Sequence, residues 1–477
     1  MIIHQKGRMK DIRYSSNVMA NKMSILVYVC SILFASCGTE AFIGMTWGRQ
    51  SAQRLVPSQV VDLMLQNGIR NTRIYSSEND ILEAFVDSGI ELTISLHKGV
   101  PLFLDLAGAR IWVRNKSKYL KSCSIRQVII GSYVFTSGLR DKAAIEMTMV
   151  AMRNLQEALR EVGYDGITVN LVHIQNMLKP NITRPSAADF SDEIRGDMIK
   201  FVRHLQEHKA PFLLDTFPIL DARRNYFNFS FAFMDNTGIA IKDINGAVYT
   251  NVFEFTYDSI VWALTKINAS DVKVVVTQVG WPTDGHVGAT AANAERFYRH
   301  LLPRVAGNKG TPMRPGAPLD IFVHSLADET KMYYADPFTR HWGVYRSNGQ
   351  PKYRIDLSGR GRNVYPVRMG GIMRMPGRWC IFNGNKTNIF YVRSQLEAAC
   401  LKGDCSSTTI GGSCSQLSFE QNVSYAFNMV FQFKFQDERS CDFGGLARVS
   451  VRDPSTGECV FPVEVVEGQQ LNFYLPT

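Results

Sequence analysis

Several short stretches of this chain place polar or aromatic side chains just after apolar, β-rich runs, where they could do chemistry together. Gln278 sits at the end of the run Val272–Val279 and precedes the turn-forming sequence Gly280-Trp281-Pro282-Thr283-Asp284-Gly285. Tyr133 follows the run Gln127–Gly131, and Asp328-Glu329 with Lys331 follow Leu319–Ser325. Tyr75 follows Arg73-Ile74, and Phe217 closes Pro211–Phe217. A glutamine amide is neutral and a very poor nucleophile. A tyrosine hydroxyl, with a reference pKa of about 10 against about 4.3 for Glu, is a weak proton donor and an ineffective base near neutrality. No Glu occurs from Lys98 to Lys142 or from Lys266 to Asn293, so a small shift in placement brings no glutamate to either position. Asp284, Asp328 and Glu329 are the acids left at such places, and acids of this kind more often position hydroxyls than attack carbon.

These residues can meet only if the strands before them lie side by side. From about Phe42 to Asp356, short β-rich runs alternate with longer helical segments, the pattern of a parallel sheet with crossover helices. Candidate strands are Glu91–Leu96, Gln127–Gly131, Gly166–Val172, Pro211–Phe217, Val272–Val279 and Leu319–Ser325. Helices are predicted over Asp141–Val162, closed by Gly163, and Pro57–Gln66, closed by Gly68. A domain of this length and alternation fits an α/β fold of the (β/α)8 TIM-barrel type. A nucleotide-binding sheet needs a glycine-rich turn after its first strand, which Ile43-Gly44-Met45-Thr46-Trp47-Gly48 does not supply. Barrel sites lie at the C-terminal ends of strands, where Tyr133 and Gln278 fall.

The 477 residues exceed one typical core and divide into an N-terminal extension with signal peptide (1–41), the barrel (42–356), a basic linker (357–378), a small second domain (379–462) and a C-terminal tail (463–477). Met23–Ala35 is apolar, follows Lys22 and leads into small residues, as a secretory signal does; it is short for a membrane span. The expected location is therefore the extracellular region or cell wall, with plasma-membrane association only if that segment stays uncleaved. Six N-x-S/T sequons, at Asn115, Asn181, Asn228, Asn268, Asn385 and Asn422, fit a secreted glycoprotein. The formal net charge of +10 reads as scattered Lys and Arg on a secreted basic protein, with no nucleic-acid partner expected. Arg360, Arg362, Arg368, Arg374 and Arg378 lie in the linker, read as a solvated tether. Cys380, Cys400, Cys405, Cys414, Cys441 and Cys459 crowd into the small terminal domain, an even set that argues for three disulfides in any of fifteen pairings. A zinc site is the weaker reading of these cysteines, since no C-x-x-C pair occurs and no His follows His341. No cofactor or metal is expected, and the chain reads as a monomer.

The motifs extend into a family resemblance. Val276–Gly285 resembles the G-E-x-G-W-P-T-x-G signature of glycoside hydrolase family 17, the plant endo-1,3-β-glucanases, with Gln278 at the place of the nucleophilic Glu. Ile130–Phe135 is similar to the V-G-N-E-P-F motif, which puts Tyr133 at the acid/base glutamate. Ile43–Gly48, Arg73-Ile74-Tyr75-Ser76, Gly310–Pro315 and Arg340–Tyr345 match further motifs of the family. Asp215-Thr216-Phe217-Pro218 stands where N-x-Y-P is usual, and Lys331 follows Glu329 by two residues where the family lysine follows by three. Trp379 to about Pro462 resembles a carbohydrate-binding module of family 43 type, whose pairing would imply Cys380 with Cys441, Cys400 with Cys405, and Cys414 with Cys459.

This resemblance implies a retaining O-glycosyl hydrolase acting as a glucan endo-1,3-β-D-glucosidase, and such an enzyme requires two carboxyl groups about 5–5.5 Å apart. Both glutamates are replaced here, so the expectation is a catalytically inactive, secreted wall protein that binds 1,3-β-glucan such as callose. Tyr75, Phe217, Trp281, Glu329 and Lys331 are the expected substrate-binding residues, with aromatic rings stacking on sugar faces. Tyr425 and Phe427 are candidates for the same role in the module. The rival readings are an active hydrolase or transglycosylase using displaced carboxylates, and a scaffold that recognises a wall or receptor protein.

Overall fold

The computed structural model describes residues 40–51, 55–96, 99–136, 141–332 and 339–466. The signal-like segment and the last residues of the tail lie outside the described residues. Eight parallel strands close into a barrel: β1 (Ile43–Trp47), β2 (Asn71–Ile74), β3 (Glu91–Ser95), β4 (Ser124–Ser132), β5 (Thr168–His173), β6 (Phe212–Thr216), β9 (Val274–Val279) and β10 (Ile321–Val323). A short hairpin of β7 (Ile241–Lys242) and β8 (Val248–Tyr249) lies between β6 and β9 in sequence. Taken together, β5, β6 and β9 are predominantly apolar, β9 being the most β-branched, and are buried on both faces, as parallel strands covered by helices must be. Inside the barrel, Ile129, Val172, Leu213, Val275 and Phe322 form an apolar core against which the ring of Tyr133 packs.

The helices follow from their apolar stripes and caps. Lys142–Arg160 begins where the Asp141 side chain accepts the Ala143 amide, and it buries Ile145, Met149, Met152, Leu155 and Leu159 on one face. It ends before Gly163, whose φ of 82° closes the turn without a Cβ clash. Pro57–Gln66 starts on the proline, which is suited to the first helical turn.

Two register shifts sit beside the strand-end residues that matter. One lies between Ile129 and Gly131 where β4 pairs with β5, and the other between Leu214 and Asp215 where β6 pairs with β9. The first inserts a residue in β4 ahead of Tyr133 and the second inserts Thr277 in β9 ahead of Gln278, so each re-aims the side chains that follow on its strand.

The terminal domain is an antiparallel pair, β11 (Trp379–Phe382) with β12 (Ala447–Ser450), packed on helices Ile389–Lys402 and Phe419–Phe433. Its disulfides are Cys380–Cys441, Cys400–Cys405 and Cys414–Cys459, the pairing that the family resemblance implies. Tyr425 and Phe427 are 4% and 0% exposed, so these two belong to the core and are removed from the list of sugar-stacking candidates. Phe390, 82% exposed, and Tyr391, 40% exposed, are the aromatic faces this domain presents instead.

The segment read as a solvated tether is anchored. Its arginines Arg360, Arg362, Arg368 and Arg374 are exposed, but Leu357 and Met369 are buried, and Gly371 accepts a hydrogen bond from Gln59. From Phe42 onward the chain forms one compact unit.

Candidate active site

The C-terminal ends of β2, β4, β6 and β9 bring one hydrogen-bonded cluster together. Asp215, 1% exposed on β6, is its hub. Its Oδ1 accepts from Arg73 Nη1 at 2.9 Å and from Thr277 Oγ1 at 2.6 Å. Its Oδ2 accepts from the Tyr133 hydroxyl at 2.9 Å and from Arg73 at 3.2 Å. Arg73, itself 1% exposed, also donates to Ser95 Oγ at 2.9 Å and to the Thr277 carbonyl at 3.3 Å. The guanidinium lies 5.1 Å from the centre of the Tyr75 ring, and the Gln278 amide donates to the Tyr75 hydroxyl. Tyr133 and Gln278 are thus joined through Asp215, Arg73 and Tyr75.

The backbone holds this arrangement. Tyr133 has a φ of 61°, in the left-handed region, where its amide donates to the Val172 carbonyl at 2.8 Å and its carbonyl accepts from Thr136. A non-glycine residue in that conformation costs on the order of 1 kcal/mol, offset here by these contacts and the ring's packing. After Gln278 the chain must turn against β10, and a Cβ at Gly280 would lie 2.2 Å from the His324 carbonyl oxygen. Only glycine fits.

Electrostatics limit what the cluster can do. Burial and the neighbouring Asp215 carboxylate push the Tyr133 hydroxyl well above its usual pKa, which makes it a still poorer acid. Burial lifts Tyr75 to about 12. Asp215 has both oxygens occupied by buried donors, so it serves as an acceptor for Arg73 and Tyr133 and is not presented as a nucleophile.

A second set of acids lies after β10. Asp328 accepts from Lys352 Nζ at 2.6 Å and from the Gly343 amide at 2.9 Å. Although burial raises its pKa, Lys352 and His341 outweigh that and hold it below its usual value. Among the described residues, Glu329 accepts a weaker partner, the Gln50 amide at 3.1 Å, and burial lifts it to about 7. A Cβ at Gly48 would lie 2.1 Å from Glu329 Oε1, so this carboxyl is set tightly against the first strand's loop.

The expected sugar-binding residues divide. Tyr75 and Phe217 are partly exposed at strand ends, and Phe217 meets Trp342 edge-on at 5.2 Å. Trp281 is 0% exposed, stacked on Phe233 at 4.3 Å and tied by its indole N–H to the Gly288 carbonyl. It is a core residue with no free ring face, and that expectation is corrected. Lys331 lies over the ring of Phe433 in the terminal domain, 5.6 Å from its centre, and so takes part in the contact between domains. The buried lysine paired with Asp328 is Lys352, which sequence reasoning missed. Asp215 was noted only as a departure from N-x-Y-P. The signal that could have placed it in the site is charge balance, because a buried Arg73 on β2 demands a carboxylate partner.

The loop after Gln278 is also gripped by the terminal domain. Asp284 Oδ1 accepts from the Ser413 amide at 2.8 Å, while its Oδ2 accepts from the hydroxyls of Ser413 at 2.6 Å and Ser407 at 2.9 Å. Thr409 donates to the Gly285 carbonyl at 2.9 Å. Beside them, Arg340 and His341 meet Asp404 at 2.9 Å and 3.2 Å. A pocket of about 430 Å³ opens at the opposite, N-terminal end of the strands, lined by Phe42, Glu91, Arg126, Lys273 and Asp320 among others. That end of a barrel is associated with stability, and none of the strand-end cluster lines it.

Comparison with known proteins agrees with this architecture. Residues 43–357 match the model of glycosyl hydrolases family 17, and residues 378–448 match that of the X8 domain. The chain is 33% identical over 440 residues to glucan endo-1,3-beta-glucosidase 8 of Arabidopsis thaliana, covering 90% of this chain and 91% of the relative. It is 35% identical over 449 residues to glucan endo-1,3-beta-glucosidase 5 of the same plant, covering 92% and 91% respectively. Among solved structures, CJP38, a beta-1,3-glucanase and allergen of Cryptomeria japonica pollen, superposes with a TM-score of 0.62 at 26% identity, covering 66% of this chain and 99% of that one. With a closed parallel barrel, the family's strand-end motifs and relatives matched over nine-tenths of its length, the chain belongs to glycosyl hydrolase family 17 and carries a C-terminal X8 domain.

Proposed function

We propose that this protein is a secreted 1,3-β-glucan-binding member of its family that holds glucan, callose included, without hydrolysing it. The observation that carries this reading is the state of the two positions that the motif resemblance matches to the family's glutamates. Tyr133 has its hydroxyl bound to Asp215, and Gln278 offers only an amide to Tyr75. Neither can supply the ionised nucleophile that retaining hydrolysis needs, and neither can act as the base that activates water. The partly exposed rings of Tyr75, Tyr133 and Phe217 supply faces for sugars at the barrel mouth, and Phe390 supplies one on the X8 domain. Relatives named as glucan endo-1,3-beta-glucosidases support 1,3-β-glucan as the ligand class.

The test pairs retention on insoluble 1,3-β-glucan with a laminarin hydrolysis assay. Retention without released sugar supports the proposal; a folded chain that does not bind would sink it. A second reading rests on Glu329, whose carboxyl holds a proton up to about pH 7 and so has the pKa of a general acid. It predicts released product that disappears in Glu329→Gln.

A further inference from the structure

Helix Asp192–Glu207 carries an H-x-x-E-H spacing near its C-terminal end, in His204, Glu207 and His208. Sequence reasoning sought metal ligands only among the cysteines and passed it over. Residues three and four apart share a helix face. One nitrogen of each imidazole and one oxygen of Glu207 lie within 4.8 Å of one another, close enough for a single small ion to bridge all three. The two imidazole rings are 4.4 Å apart, centre to centre.

Three observations point to a cation. First, His204 is 7% exposed, and its Nε2 is buried with no hydrogen-bond partner among the described residues, an unfavourable state that a bound ion or its water would relieve. Second, the ligands stand at the C-terminal end of a 16-residue helix, where the helix dipole favours positive charge. Third, Glu207 is exposed and supplies the negative charge of the set, while His208 is half-buried, so an ion can reach the site from solvent. Arg153, on the neighbouring helix Lys142–Arg160, lies near enough to His204 for its positive charge to oppose a cation there.

We infer that His204, Glu207 and His208 form a surface site for a divalent transition-metal ion, with Zn2+ as the best-suited occupant. Two imidazoles and one carboxylate match the N/O donor preference of zinc and leave a fourth tetrahedral position for water. The site lies on an outer helix of the barrel and is separate from the strand-end cluster.

The test uses untagged full-length protein, stripped of metal with a chelator and dialysed, then titrated with Zn2+ by calorimetry and by competition with a zinc-sensitive dye. About one ion per chain is expected, with a zinc-dependent rise in melting temperature. His208→Ala and Glu207→Gln, both changes at accessible positions, are expected to weaken binding by about tenfold or more, at least the cost of disturbing a second shell. Arg153→Gln is expected to tighten it. Absence of saturable binding would overturn the proposal, as would affinity unchanged in both His208→Ala and Glu207→Gln. His204→Ala serves as a third arm where its melting curve shows a folded chain.

Discussion

On the proposed reading that Tyr133 and Gln278 occupy the places of the family's two glutamates, Tyr133→Glu with Gln278→Glu is expected to leave a defect that Asp215 causes. In the structure Asp215 lies 2.9 Å from the Tyr133 hydroxyl, and Arg73 is its ion-pair partner among the described residues. A glutamate at position 133 would bring a second carboxyl to within about 4 Å of it. At an effective dielectric of about 20, two like charges at that separation repel by about 4 kcal/mol. This corresponds to about 3 pKa units, so the introduced acid would keep its proton to near pH 7. That suits the first step of a retaining mechanism and hinders the second, in which the same group must take a proton from water. The double variant should therefore reach its maximal rate at a pH higher by up to about 3 units than a triple variant that also carries Asp215→Asn. The assay is the initial rate of laminarin hydrolysis across pH for wild type, double and triple variants, each shown to be folded by circular dichroism. Superimposable pH profiles for the double and triple variants would refute the reasoning about Asp215. Robust hydrolysis by wild type would refute the broader claim that the site is silent.

Further predictions concern the contacts that hold the site and the domains. Asp215→Asn alone leaves Arg73 buried without its carboxylate and should lower stability by about 3–5 kcal/mol, measured by denaturant unfolding; a change within error would mean that water already reaches the pair. Burial lowers the pKa of His341, but Asp404 and Asp328 on either side overcome that and raise it to about 10. Its folded value thus lies above the unfolded value of about 6.5, so its contribution is complete below pH 6.5 and is lost as pH rises toward 10. Thermal stability of the wild type should accordingly fall between those limits, with a flatter profile in His341→Gln. Asp284→Ala removes three hydrogen bonds to the X8 domain and should loosen the interdomain contact, speeding trypsin cleavage at the already exposed Arg360 and Arg362; unchanged cleavage rates would show that the remaining contacts suffice.

Much of the fold was legible because it depends on local patterns. Alternating apolar runs and helical stripes identify a parallel barrel, and strand-end motifs identify where its site must lie. Gly68 and Gly163 mark helix ends because a positive φ there needs no Cβ. The cysteine count in a small terminal domain announced three disulfides, while their pairing came from family resemblance alone. Asp215 was less legible. A single Asn-to-Asp departure carries no meaning until Arg73, 142 residues away in sequence, is seen to share its cavity.

By itself, the sequence determined the alternation of strands and helices, and that an amide and a phenol, both chemically poor as acids, bases or nucleophiles, stand at strand ends. These are properties of residue type and local spacing. Only the tertiary structure decided which aromatic faces remain free, which lysine joins the acids and whether the linker is loose. Trp281 and Phe217 are equivalent aromatics at strand ends in sequence, yet one is locked against Phe233 and the other stands partly open at the barrel mouth. Lys352, 24 residues from Asp328, neutralises it, while the nearby Lys331 reaches the X8 domain. The physical reason is the same in each case. Burial and charge pairing depend on what the rest of the chain brings to a point in space, and spacing along the chain does not encode that.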